Sequence, residues 1–105
     1  MHDFRKLKVW ARARDVVVIT DRMTRQFPRA DHGVIAAQIR RAVISIPANI
    51  AEGCGRLGNS ELHRFLQIAC GSANELEYHF LLARDLGYIS ASDHAALEKQ
   101  LLEMK

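Results

Sequence analysis

Aromatic residues are scarce in this chain, with one Trp, two Tyr and four Phe among 105 residues. The interior must therefore be packed mainly by Ala, Leu, Ile and Val. Two prolines and six glycines leave long uninterrupted stretches in which helices can form. The two cysteines, Cys54 and Cys70, are too few for a disulfide framework and follow no metal-ligating spacing. Their scarcity points to a reducing, cytoplasmic setting. No run of ~18 apolar residues occurs, which excludes a membrane-spanning helix. Met1-His2-Asp3-Phe4-Arg5-Lys6 has neither the apolar run nor the cleavage site of a secretory signal. With 49% apolar residues the chain is no disordered tail. Its length suits one domain over 1–105, with roughly two thirds of the unfolded surface buried.

Charge is unevenly spread. Residues 1–29 hold eight Arg/Lys against three Asp, a balance of +5. Residues 30–64 hold four against three, and residues 65–105 three against six, balances of +1 and −3. Such an asymmetry says more about partners than the net +3, because local fields steer association.

Apolar residues recur at helical spacing in four segments, and alternating strand patterns are missing. The first segment, about 7–27, places Val9, Trp10, Ala13, Val16, Val17, Thr20, Met23 and Phe27 on one arc, with Pro28 as its stop. The second, about 32–52, follows Asp31 as an N-cap and aligns Ile35, Ile39, Ala42, Val43, Ile46 and Ile50. Pro47 lies inside it, lacks the N–H for the Val43 carbonyl and predicts a kink. Gly53 is the expected C′ stop. The third, about 60–86, is capped by Asn59 or Ser60 and stopped by Gly87. Leu62, Leu66, Ala69, Ala73, Leu76, Phe80 and Ala83 alternate by four and three, the spacing of a coiled-coil seam. The fourth, about 91–105, opens on Ser90 with Asp93 as a capping-box partner and aligns His94, Leu97, Leu101 and Met104. That pattern reaches the last residue without a C-cap, which suits a natural chain that runs further. Short connections make successive helices antiparallel neighbours. The expected fold is all-α, an antiparallel up-down-up-down four-helix bundle.

Few motifs carry chemistry. Gly53-Cys54-Gly55-Arg56-Leu57-Gly58 fits G-x-G-x-x-G, but a dinucleotide site needs a strand before the loop. A helix precedes it here, so the stretch reads as a connection. Arg56, near the start of the third helix, is placed to hold an anion. Glu75 and His79 are four apart and unrepeated, unlike the paired Glu-x-x-His of di-iron bundles. No metal, cofactor or catalytic group is expected, nor an enzyme. Arg5, Lys8, Arg12, Arg14, Arg22 and Arg25 lie outside the apolar arc of the first helix, a basic face suited to phosphates. Val18 and Ile19 make part of that face greasy, and Asp15 and Asp21 interrupt it. Gln38, Arg41, Ser45, Asn49 and Glu52 form a polar stripe on the second helix. Arg64, Ile68, Ser72, Glu75 and His79 form a counterpart on the third. One reading has Arg40 or Arg41 pairing with Glu75 or Glu77 to fix register. The other has the stripes lining a subunit interface or ligand groove.

Several segments taken together resemble a known family: Phe4-Arg5-Lys6-Leu7-Lys8-Val9-Trp10, Phe27-Pro28, Gln38-Ile39-Arg40-Arg41-Ala42, Ser45-Ile46-Pro47-Ala48-Asn49-Ile50-Ala51-Glu52-Gly53 and Ala69-Cys70-Gly71-Ser72-Ala73-Asn74-Glu75-Leu76-Glu77. They resemble the four-helix-bundle proteins named after 23S rRNA intervening sequences, over nearly the whole chain. The resemblance implies the bundle fold but no established activity. Related accessory proteins of diversity-generating retroelements form pentameric rings with basic surfaces that associate with nucleic acid, so a homopentamer is the expectation by analogy. Apolar residues outside the seams (Val18, Ile44, Ile68, Leu81 and Leu82) independently suggest a subunit interface. The sequence thus predicts a non-enzymatic oligomeric scaffold that binds RNA or DNA, with a protein-interaction module free of nucleic acid as the alternative.

Overall fold

The computed structural model describes residues 2–105. Four α-helices, α1 (Lys8–Thr24), α2 (Val34–Cys54), α3 (Asn59–Asp85) and α4 (Ala91–Met104), carry the fold, and 3-10 turns at Phe4–Lys6 and Arg29–Asp31 precede α1 and α2. No strand occurs among the described residues. α1 packs on α2 and α4, and α3 packs on the same two, so α1 and α3 lie diagonally. The chain directions follow from paired residues. Ser45 meets Ser72, whereas Gly53 meets Phe65, so α2 and α3 are antiparallel. The ion pair of Arg40 with Asp21 and the bond from the His2 N–H to the Cys54 carbonyl set α1 against α2 in the same sense. Lys105 reaches back to Glu77 from the end of α4, which completes the up-down-up-down order.

The expected seams form the interior. Ala13, Val16, Ile39, Val43, Ile46, Ile50, Ala69, Ala73, Leu76, Phe80, Ala83, Leu97 and Leu101 are all buried in one cluster. His94, aligned with the α4 stripe, is buried as well. Phe4 and Trp10 meet edge to face at one end of the bundle, with ring centres 4.9 Å apart, and Phe27 and Tyr88 close the other at 5.4 Å.

The boundaries differ from the sequence reading where local chemistry decides. α1 ends at Thr24 rather than Phe27, because Gln26 and Phe27 donate to Met23 and Thr24 in tighter i→i+3 bonds. Asp31 caps α2 from a distance: its carboxylate accepts from the Ile35 and Ala36 N–H groups at 2.9 and 3.1 Å, while Gly33, at φ 75°, holds the cap position. α2 runs unbroken through Pro47 to Cys54. Gly53 is therefore no C′ residue. It sits inside the helix where a Cβ would lie 2.9 Å from the Phe65 Cβ and 3.2 Å from Leu62 Cδ1, so it sets how closely α2 and α3 approach. Neither Asn59 nor Ser60 caps α3; both are helical, and Gly58, at φ 92°, precedes them. The α3 terminus is a Schellman motif: Gly87, at φ 77°, donates to Arg84 O, and Tyr88 donates to Ala83 O. Ser90 caps α4 by accepting from the Asp93 N–H at 3.0 Å.

Candidate nucleic-acid interface

The seven basic residues expected to meet phosphates fall into different circumstances. Arg5 pairs with Asp3 at 3.2 Å and holds its carboxyl below the usual carboxylate range by hydrogen bonding. Arg25 pairs with Asp21 at 2.9 Å, and Arg56 with Glu52 at 2.6 Å. Arg56 also lies over the Phe65 ring at 5.2 Å, where Arg64 lies at the same distance. Its charge is thus already matched inside the α2–α3 turn. Arg12 donates to the Glu103 carbonyl at 2.9 Å, which ties α1 to the end of α4 and leaves the positive charge without a carboxylate. Arg14 stacks on Trp10 at 5.2 Å. Lys8 and Arg22 have no carboxylate partner among the described residues.

At 100° per residue, Lys8 and Arg12 share one edge of α1, Arg14 and Arg25 the other, and Arg22 lies between them on the exposed face. The outer face of α1 is positive along both edges, interrupted by Asp15. Val18, 45% exposed, sits within it.

The polar stripes do meet across α2 and α3, but through hydroxyls and not through ions. Asn49 Nδ2 donates to the Ser45 carbonyl at 2.7 Å and to Ser45 Oγ at 2.9 Å. That leaves the Ser45 hydroxyl proton for Ser72 Oγ, 2.9 Å away. The expected register pair between Arg40 or Arg41 and Glu75 or Glu77 is not formed. Arg41 donates within its own helix to Gln38 Oε1 at 3.3 Å, Arg40 turns to Asp21 at 4.0 Å, and Glu77 takes Lys105 at 2.5 Å. Long exposed side chains find the nearest opposite group, whereas short hydroxyls close to the backbone depend on inter-helix offset. Glu52 leaves the stripe to pair with Arg56, and Glu75 is exposed.

Two buried polar residues, His79 from the polar stripe of α3 and Thr20 from the apolar arc of α1, each hold an unpartnered polar atom. His79 is 9% exposed with Nδ1 unpartnered, beside the Tyr78 ring at 5.3 Å, and Thr20 is fully buried with its hydroxyl unpartnered. His94 Nε2 lies 3.9 Å from Glu98. No group of three or more His, Cys, Asp or Glu side chains gathers among the described residues. Cys54 is fully buried, and burial raises its thiol pKa; Cys70 is exposed.

An apolar groove of about 410 Å³ opens below the end of α4. Val9, Ile46, Ile50, Leu66, Ala69 and Ala73 form its floor and walls, and Met104 and Lys105 close its upper end. Sequence periodicity supplied its apolar residues, which belong to the stripes of the four helices. No helix among the described residues is long and apolar enough to cross a membrane.

Comparison with curated proteins gives no match. A family model does match, over residues 5–105 and hence over all four helices: the chain belongs to the family described as 23S rRNA-intervening sequence protein.

Proposed function

We propose that this protein is a non-enzymatic, self-assembling scaffold that holds RNA or DNA against the outer face of α1. The observation that carries the reading is the concentration of positive charge in the first 29 residues, +5 in all, with Lys8, Arg12, Arg14 and Arg22 left free of carboxylates. Four phosphate contacts per chain would give a duplex-binding salt slope of about −4 on logarithmic axes. Such contacts position a nucleic acid without reading its sequence.

Self-assembly strengthens the reading physically. The exposed apolar residues Val18, Ile44, Ile68 and Leu81 favour burial against further copies. Several α1 faces brought together sum their fields and make binding multivalent. A pentamer is the arrangement suggested by analogy with the retroelement accessory proteins. The family is named for intervening sequences of 23S rRNA, which suits an RNA partner.

Fluorescence anisotropy with a structured RNA at several salt concentrations tests the proposal. Binding at low salt that weakens steeply with added salt, and a slope reduced by about two on replacing Lys8 and Arg22 with Gln, supports it. Absence of binding at low salt discards it.

A further inference from the structure

A polar cleft of about 640 Å³ lies at the corner where α1 gives way to α2. Arg25, Arg29, His32 and Arg40 stand around it, and Phe27 and Pro28 give it an apolar edge. These residues come from three places: the end of α1, the 3-10 turn Arg29–Asp31 and the second turn of α2. His32 and Gly33, both left-handed at φ 52° and 75°, fold that turn back onto α2. His32 is the only non-glycine residue with positive φ among the described residues, a conformation that a side chain makes costly.

The acceptors at this corner are engaged. The Asp31 carboxylate, 5% exposed, takes the Ile35 and Ala36 N–H groups. The carbonyls of Thr24, Pro28 and Arg29 accept from the N–H groups of Phe27, Asp31 and His32. The side-chain donors are largely free. Arg25 uses Nε on Asp21 at 2.9 Å, and Arg40 stops 4.0 Å from the same carboxylate, too far for a hydrogen bond. Among the described residues, neither Arg29 nor His32 donates a side-chain hydrogen bond or meets a carboxylate. Asp21 does not line the cleft. Three guanidinium groups and an imidazole thus border a space whose one carboxylate is already occupied.

We propose that this cleft binds a phosphomonoester group. Guanidinium forks match phosphate oxygens in pairs. A monoester carries roughly two negative charges at neutral pH and presents three free oxygens, so several arginines can hold it at once. A phosphodiester within a strand carries less charge and is flanked by sugars on both sides, which suits the open face of α1 better than a corner. Two sources supply the monoester: the terminal phosphate of an RNA or DNA strand, and a free small phosphate. As the seat of a strand end, the cleft rests on the nucleic-acid reading above. As a phosphate site it uses none of Lys8, Arg12, Arg14 and Arg22 and does not depend on that reading.

Two measurements separate the sources. Anisotropy of a short single-stranded RNA, labelled at its 3′ end and carrying a 5′ phosphate or a 5′ hydroxyl, reads the strand end. Isothermal titration with inorganic phosphate at constant ionic strength reads the free anion. The phosphorylated strand binds about tenfold more tightly, as one or two hydrogen bonds to a charged group provide. Arg29→Gln and Arg40→Gln each remove that advantage and the heat of phosphate binding, and leave the affinity for the hydroxyl strand unchanged. Arg29 is exposed, so its replacement leaves the fold intact, as circular dichroism checks. Lys8→Gln with Arg22→Gln weakens both strands alike and preserves their ratio. Phosphate heat without a strand preference supports the site and assigns it to a free phosphate. Phosphate heat without binding of either strand supports it too and removes only the nucleic-acid reading. Equal affinity for the two strands together with no phosphate heat overturns the proposal, as does a preference that survives both arginine substitutions.

Discussion

Two glycines in long helices predict opposite responses to the same substitution. Gly53 lies in α2 against α3, and a methyl group there meets the Phe65 Cβ at 2.9 Å, Leu62 Cδ1 at 3.2 Å and the Leu62 carbonyl at 3.4 Å. Ordinary carbon contacts are about 3.5–4.0 Å. The Phe65 Cβ is fixed to its backbone and no rotamer change moves it away, so α2 and α3 must separate by several tenths of an ångström along their most extensive contact. Overpacking of this kind costs about 1–3 kcal/mol, offset by the ~1 kcal/mol that Ala gains over Gly inside a helix. The balance for Gly53→Ala is a loss of about 1 kcal/mol. Gly71 lies in α3, exposed, with nothing within 4 Å of its would-be methyl. Gly71→Ala therefore keeps the propensity gain and stabilises by about 0.5–1 kcal/mol. Urea titration of the two variants and the parent measures a separation near 2 kcal/mol, and thermal melting moves by about 4–8 °C per kcal/mol for a domain near this size. Gly53→Ala melting at or above Gly71→Ala would refute the close-approach account of the α2–α3 seam.

Three further perturbations follow from named contacts. Asp31→Ala removes the acceptor for two N–H groups at the start of α2 and lowers stability by about 1–2 kcal/mol in urea titration, with Asp31→Asn recovering part of it. A double-mutant cycle of Ser45→Ala and Ser72→Ala, read the same way, gives a coupling of about 0.5–1 kcal/mol across the hydroxyl pair. Cys54 keeps its proton in the folded chain because burial raises its pKa. Its contribution is therefore present at neutral pH and declines once pH rises past the ordinary thiol range, where only the unfolded chain releases the proton. The parent loses more stability than Cys54→Ala between neutral and alkaline pH, as paired urea titrations at the two pH values measure.

The helices were legible because each seam repeats over several turns. Ala69, Ala73, Leu76, Phe80 and Ala83 are read from spacing alone, and all are buried. His94 was legible for the same reason, as a member of the α4 stripe. What the sequence could not show depends on offsets between helices. In Gly53-Cys54-Gly55-Arg56-Leu57-Gly58, any glycine is able to end a helix. Only the crossing of Phe65 over Gly53 reveals that this one serves packing, while the positive φ belongs to Gly58, ahead of α3. The bond between the polar stripes of α2 and α3 joins Ser45 and Ser72, while Arg41 bonds Gln38 instead of Glu75. The basic face was visible as composition. Which of its charges are cancelled by Asp3, Asp21 and Glu52 required coordinates.

Two-wavelength sedimentation velocity with a structured RNA at low salt follows protein mass and RNA together, and so tests assembly and binding in one measurement. The account predicts one boundary containing RNA and several copies of the 11.9 kDa chain, dispersed by added salt. RNA sedimenting alone beside an 11.9 kDa protein species would contradict it.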